Sequence, residues 1–155
     1  MTLFTDSDWA GCRRSRKSTS GGAILIGGHC IKTWSSTQGP IALSSAEAEY
    51  YSIVDGTMQA KGLQAMGIEV GMRNLDAPIE LRIDSSAAKS FAARRGFGRM
   101  RHIDVRMLWL QEEVLGKWVV LANVPGDKNA ADLMTKYQPK QAIDERMNLV
   151  NIMLL

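Results

Sequence analysis

A buried stripe at Ala46, Tyr50, Ile53, Thr57, Ala60 and Leu63 divides this chain into two parts. Spacings of three and four put those residues on one side of a helix, and such a side must lie against an apolar partner. Ser44-Ser45-Ala46-Glu47 opens the helix as a capping box, with Ser44 as cap and Glu47 reaching back; the pattern predicts a helix through Ala65. Ahead of it, Leu3–Thr5, Gly22–Ile26 and Cys30–Trp34 read as strands, and Gly27-Gly28 predicts a hairpin turn between the last two. Behind it, a Gly/Asn/Asp/Pro linker (71–78) leads to the alternating strand Ile79–Ile83. Ser85-Ser86 then caps a short helix, 87–93. A basic, Gly-bearing loop covers 94–101. The pattern next predicts a helix over 103–115, with Ile103, Met107, Leu110 and Val114 on one face, and a strand over 118–124 stopped by Pro125-Gly126. Asn129–Thr135 reads as a helix start. A separate helix is expected over 138–155, its Ile143, Met147, Leu149, Val150 and Met153 able to dock on the rest. The order β, ββ, α, β, α, α, β, α predicts an α/β fold: a mixed five-stranded sheet flanked by helices. It divides into a domain of residues 1–137 and a C-terminal helical extension, 138–155.

At 155 residues, with 45% hydrophobic and 23% charged, the chain has the makings of one ordinary core, which argues against disorder. No apolar run approaches the ~18 residues of a membrane span, and the first residues lack the basic and apolar regions of a secretory leader. Cys12 and Cys30, with only His29 and His102 to help, make neither a structural zinc site nor a disulfide framework. Free thiols in a reducing compartment, hence an intracellular protein without a membrane partner, are the expectation. Nineteen Lys and Arg against sixteen Asp and Glu leave only +3, yet the basic residues cluster. Arg13, Arg14, Arg16 and Lys17 form one group; Arg94, Arg95, Arg99, Arg101 and Arg106 form another. Such clusters suit a phosphate backbone, whose counterions each neutralised phosphate releases, and they equally suit a solvated surface.

Four acids stand where chemistry tends to sit. Asp6 ends the first strand, Asp84 ends the fourth and Asp132 opens a late helix, while Glu49 flanks the buried stripe. Glu47 lies about 200° around the helix from Glu49, so the two cannot share a target. Each acid alone has an ordinary reading: a turn residue, a cap, a first-turn residue or a surface group. Together, four converging carboxylates would need a counter-charge to ionise. Two Mg²⁺ ions, with their preference for hard oxygen ligands, would supply it and would suit phosphodiester cleavage.

Thr5-Asp6-Ser7-Asp8-Trp9-Ala10-Gly11, Ser18-Thr19-Ser20-Gly21-Gly22, Ala42-Leu43-Ser44-Ser45-Ala46-Glu47-Ala48-Glu49-Tyr50, Arg101-His102-Ile103-Asp104 and Ala131-Asp132-Leu133-Met134-Thr135-Lys136 follow one another along the chain. In that order they resemble the ribonuclease H domain of copia-type LTR-retrotransposon Pol polyproteins, over roughly residues 3–137. The resemblance implies a ribonuclease H fold and a reverse-transcriptase-associated endonuclease. Its substrate would be the RNA strand of an RNA–DNA hybrid, cut to leave a 3′-hydroxyl and a 5′-phosphate. It implies two Mg²⁺ ions, with Mn²⁺ able to substitute, and no small-molecule cofactor. Asp6, Glu49, Asp84 and Asp132 would be both catalytic and metal-binding. Asp6 would touch both ions, with Asp132 completing one site and Glu49 and Asp84 the other, and Asp8 a neighbouring structural acid.

For the hybrid, the candidate contacts are Arg13, Arg14, Arg16, Lys17, Ser44, Ser85, Arg99, Arg101 and His102. Ser7, Ser44 and Ser85 serve equally well as caps, and His102 equally well as a structural residue. The implied partner is a reverse transcriptase domain in the same polyprotein; the expected place is the cytoplasm or nucleus, or a virus-like particle if the element is active. One departure stands out. Many ribonucleases H carry a His shortly before the last aspartate, where this chain has Pro125-Gly126-Asp127-Lys128-Asn129. The departure implies slower turnover, or partial substitution by Asp127 or Lys128. The competing reading is a catalytically weak or inactive hybrid-binding module kept for contacts to a polymerase domain. A DNA-cutting resolvase or integrase core fits the Ser-Ser-Ala-Glu-Ala-Glu-Tyr helix poorly.

Overall fold

A computed structural model describes residues 1–152. Its strands are β1 (Thr2–Asp8), β2 (Thr19–Ile26), β3 (His29–Thr37), β4 (Ile79–Ile83) and β5 (Val119–Asn123). Its helices are α1 (Ser45–Glu69), α2 (Ser86–Ala92), α3 (Trp109–Leu115) and α4 (Lys140–Leu149). The sheet runs β3-β2-β1-β4-β5. β1, β2 and β3 pair antiparallel through a loop over 9–18 and a short turn at Gly27-Gly28, while β4 joins β1 and β5 joins β4 in parallel through helical crossovers. The expected mixed sheet flanked by helices is what the chain forms. Gly27 and Gly28 make the β2–β3 turn at φ +59° and +84°, a backbone that side chains other than Gly resist.

Alternation along β1 sends its residues to two cores. Leu3 faces α1 and joins Ile24, Tyr50, Ile53, Leu81, Phe91 and Leu110 in the larger one. Tyr50 and Phe91 meet edge-to-face with ring centroids 4.5 Å apart, and the Tyr50 hydroxyl donates to the Met107 carbonyl at 2.7 Å. Phe4 faces the opposite side with Ala23, Leu25, Ala130, Ala131 and Val150. Two glycines set the spacing of α1. A Cβ on Gly56 would meet Thr5 Cγ2 at 2.6 Å, and one on Gly22 would strike the Trp34 ring that lies over it.

Several boundaries differ from those the sequence predicts. β1 continues through Asp8, and α1 runs on past Ala65 to Glu69. The expected helix over 103–115 is a turn, then a 3₁₀ segment (Val105–Leu108), and only then α3, because the Asp104 carboxylate accepts from the Arg106 N–H and starts the chain as a tight turn. Residues 130–134 likewise form 3₁₀ turns rather than an α-helix, with Asn129 as cap. α4 covers 140–149 of the helix expected over 138–155, since Pro139 sits at its start and Asn151, at φ +54°, follows its end. Val150 is buried, Ile143 and Met147 line an apolar groove of about 440 Å³, and Leu149 stays exposed. Met153 lies outside the described residues.

Candidate metal centre

β1 and β4 run parallel, so their C-terminal ends share one end of the sheet. Their pairing stops at Phe4–Arg82, yet β1 continues to Asp8 and β4 to Ile83. A crevice beyond the carboxyl ends of neighbouring parallel strands is where open α/β sheets place their ligands. Asp6 lies on the Phe4 face of β1, buried, and Asp84 follows β4, exposed. Asp132 arrives from the far end of the chain on the 130–134 turn. One carboxylate oxygen from each of the three lies within 4.8 Å of the other two.

Local chemistry brings the 130–136 segment there. The Asn129 amide donates to the Thr5 carbonyl at 3.0 Å, and its oxygen accepts from the Ala131 N–H at 3.1 Å, so a fully buried side chain ties the turn to β1. Gly21 is the β2 partner of Asp6, and a Cβ there would meet Met134 Cβ at 2.6 Å and Thr135 Cγ2 at 2.7 Å. The bare backbone of β2 thus lets Met134 and Thr135 lie flat beside Asp6. The Thr135 hydroxyl donates to Asp6 Oδ2. Ser52, on α1, donates to the Asp6 carbonyl at 2.6 Å and fixes the strand from the other side.

Glu49 approaches from α1. Its Oε1 accepts the Ser7 N–H at 3.3 Å, and its Oε2 is shut from solvent with no hydrogen-bond partner among the described residues. Burial, then the charges of Asp6 and Asp84, push its carboxyl up to about 8. Burial also raises Asp6 to about 6, against the hydrogen bond from Thr135 and the charge of Lys136. Asp6, Asp84 and Asp132, from β1, the end of β4 and the 130–134 turn, thus meet in one crevice; Glu49, on α1, lies outside that group of three but near enough for the charges of Asp6 and Asp84 to act on it. Hard oxygen donors from several segments, one of them an unpartnered buried oxygen, fit a small divalent cation such as Mg²⁺.

Two cations of the chain itself stand in this cluster, and the sequence reading had no role for either. Lys136 Nζ is 2.7 Å from Asp132 Oδ1 and 3.2 Å from Asp6 Oδ2. Burial would lower this ammonium; its hydrogen bond to Asp132 and the charge of Asp6 outweigh that and hold it above the usual range. Arg146 Nη2, from α4, is 3.0 Å from Asp132 Oδ2. The i, i+4 spacing of Asp132 and Lys136 was a visible signal for one pair; nothing in the sequence marks Arg146.

Among the other candidates, Ser44 Oγ accepts the Glu47 N–H and Ser85 Oγ the Ala88 N–H, so both act as helix caps. Glu47 does not return to the Ser44 N–H. Its buried carboxylate accepts from the Leu43 N–H, the Tyr51 hydroxyl and His102 Nε2, the last at 2.8 Å. That contact moors the exposed Arg99 and Arg101, either side of the half-buried Met100, near the start of α1. Arg13, Arg14 and Arg16 are exposed and Lys17 half-buried in the β1–β2 loop, which leaves β1 at the same end of the sheet as Asp84. Ser7 Oγ is buried without a hydrogen-bond partner among the described residues, and Asp8 accepts from the Thr19 N–H, which gives it a structural place at the loop.

The architecture is that of ribonuclease H. Ribonuclease H1 from the archaeon Halobacterium salinarum superposes with a TM-score of 0.56 at 18% identity, over 93% of this chain and 97% of that one. LC11-RNase H1, solved in complex with an RNA/DNA hybrid, gives 0.52 at 19% identity, over 94% and 98%. In sequence, the chain is homologous to retrovirus-related Pol polyproteins of plant transposons. It is 29% identical over 150 residues to that of transposon TNT 1-94 from Nicotiana tabacum, and 29% identical over 137 residues to that of transposon RE1 from Arabidopsis thaliana. These alignments take in 96% and 88% of this chain, which spans only 11% and 9% of those polyproteins. No protein-family model matches it.

Proposed function

We propose that this chain is the ribonuclease H part of a retrotransposon reverse transcriptase, a metal-dependent endonuclease that cuts the RNA strand of RNA–DNA hybrids. The observation carrying this reading is the meeting of Asp6, Asp84 and Asp132 within 4.8 Å beside the unpartnered oxygen of Glu49. The fold, the hybrid-bound structural neighbour and the Pol homologues support it. Asp6, Glu49, Asp84 and Asp132 would hold two Mg²⁺ ions, which when bound activate the attacking water and stabilise the leaving 3′-oxygen.

The chain's own groups do the rest. Asp6 is the most buried of the four; the Thr135 hydroxyl holds its Oδ2, and Ser52 fixes its strand through the backbone carbonyl. Glu49 and Asp6 must shed the protons that burial favours before they can serve as ligands. Arg13, Arg14, Arg16 and Lys17, with Arg99 and Arg101 moored by His102, would bind backbone phosphates at the rim. Selection of RNA over DNA would rest on the 2′-hydroxyl and duplex shape.

Incubating the purified chain with labelled RNA–DNA hybrid, duplex RNA and duplex DNA, in Mg²⁺ or EDTA, tests the proposal. Metal-dependent cutting of the hybrid alone is expected; hybrid left intact at every metal concentration overturns it. One observation favours a second reading, a hybrid-binding module with weak or no catalysis: both oxygens of Asp132 are already neutralised by Lys136 and Arg146. Tight hybrid binding without cleavage would select it.

A further inference from the structure

We propose that Lys136 is an exchangeable counter-ion of the carboxylate cluster, standing between Asp6 and Asp132 in place of a divalent cation and released when one binds, while Arg146 stays. This deepens the metal-dependent reading above and rests on it. Asp132 divides its two oxygens between two cations: Oδ1 takes Lys136 Nζ at 2.7 Å and Oδ2 takes Arg146 Nη2 at 3.0 Å. Lys136 alone also reaches Asp6, 3.3 Å from Oδ1 and 3.2 Å from Oδ2. It therefore bridges two of the three acids that would bind metal. Arg146 touches only one of them, through Asp132 Oδ2.

Their surroundings differ as much as their partners. The Lys136 side chain is 43% exposed, at the rim, on a flexible stem with a strongly hydrated head. The Arg146 side chain is 10% exposed, and its Nε is buried without a hydrogen-bond partner among the described residues. Its helix is held by the burial of Val150. One cation can step into water without disturbing the fold; the other cannot leave unless α4 lifts. A Mg²⁺ ion bonds oxygen at about 2.0–2.1 Å. An ammonium 2.7 Å from the same Asp132 oxygen and in reach of Asp6 lies too close to such an ion to share the pocket. Exchange is the outcome charge repulsion dictates, and it keeps the cluster neutralised with or without metal.

An ordinary structural ion pair predicts the opposite sign. If Lys136 only braced Asp132, its removal would loosen the site and weaken metal binding. If it exchanges, its removal strengthens metal binding, because a competitor is gone. The test uses the full chain, Mn²⁺ as probe, and isothermal titration with thermal melts. Lys136→Met should bind Mn²⁺ roughly tenfold tighter than the unmodified chain, within the usual span of such couplings. In EDTA the variant should melt lower than the unmodified chain, and Mn²⁺ should raise its Tm by more. Arg146→Met should melt lower in EDTA and bind Mn²⁺ more weakly.

Equal or weaker Mn²⁺ binding by Lys136→Met overturns the proposal. If the unmodified chain still cuts hybrid with Mn²⁺ in that case, the exchange alone is wrong. If neither chain takes up Mn²⁺, the metal-dependent reading falls with it. Should Lys136→Met not fold, Lys136→Gln and the ¹³Cε resonance of Lys136 in the unmodified chain serve instead. Added Mg²⁺ should move that resonance toward those of solvated lysines, and a resonance that does not move overturns the proposal.

Discussion

Asp6 and Glu49 hold their protons more tightly in the folded chain than a free carboxyl does, at about 6 against 3.8 and about 8 against 4.5. Between those limits the folded state binds more protons than the unfolded one, so the free energy of unfolding falls as pH rises. The stability lent by the protonated acids is complete below the unfolded values and is lost as pH climbs through the folded ones. In EDTA the Tm should be higher near about pH 5 than near about pH 8.5, and Mg²⁺ should narrow the gap because it binds the ionised form. A Tm in EDTA that rises across this range would contradict the burial of these two acids. Asp6→Asn should leave hybrid binding intact and lower cleavage by more than the roughly 10–100-fold that removing a residue supporting a metal ligand costs. Gel-shift and cleavage assays on the same preparation separate the two effects. Asp6, Glu49, Asp84 and Asp132 were all visible as candidates in the sequence, because acids at strand ends and beside a helix stripe follow from local pattern. Arg146 was not, since its partner is a matter of distance in space, and the i, i+4 spacing of Lys136 from Asp132 signalled that pair but not the reach to Asp6.

Gly21 and Gly56 act at the scale of elements, and each lets one layer approach the sheet from its own side. Gly21→Ala would force Met134 and Thr135 off β2 and should cost ~1–3 kcal/mol, the usual range for overpacking. It should also weaken Mn²⁺ binding, since Thr135 and Asp132 move with that segment. Gly56→Ala should cost a similar ~1–3 kcal/mol despite the better helix propensity of Ala, because its Cβ would meet Thr5 and Trp34. Urea melts read both. A Gly56→Ala variant as stable as the parent would mean that α1 can rise from the sheet without loss. The strands, the hairpin and α1 were legible because each is long or strongly periodic. The 103–115 and 129–135 segments were not, because a side-chain cap at Asp104 and the tie of Asn129 to β1 tighten them into 3₁₀ turns.

For the whole molecule, the charge that matters is where the loops put it. The β1–β2 loop carries Arg13, Arg14, Arg16 and Lys17 at the end of the sheet that holds the acids, and His102 moors a second basic stretch to the start of α1. Replacing the four basic residues of the first loop by Ser should weaken hybrid binding. It should also flatten the slope of log affinity against log salt by up to about 3–4, near one unit for each phosphate the loop no longer neutralises. Cleavage at saturating hybrid should change little. Fluorescence anisotropy over a salt series measures the slope, and an unchanged slope would make that loop a solvated surface.

Periodicity and turn chemistry along the chain were enough to give the strands, the long helix, their order and four candidate acids, because these depend on neighbours within a few residues. Tertiary structure alone decided that Asp6, Asp84 and Asp132 meet, that Glu49 lies near them with an oxygen unpartnered among the described residues, and that Lys136 and Arg146 divide the oxygens of Asp132. Those interactions join residues up to 130 positions apart. They depend on glycines that let layers close and on buried side chains that leave a charge nowhere else to go.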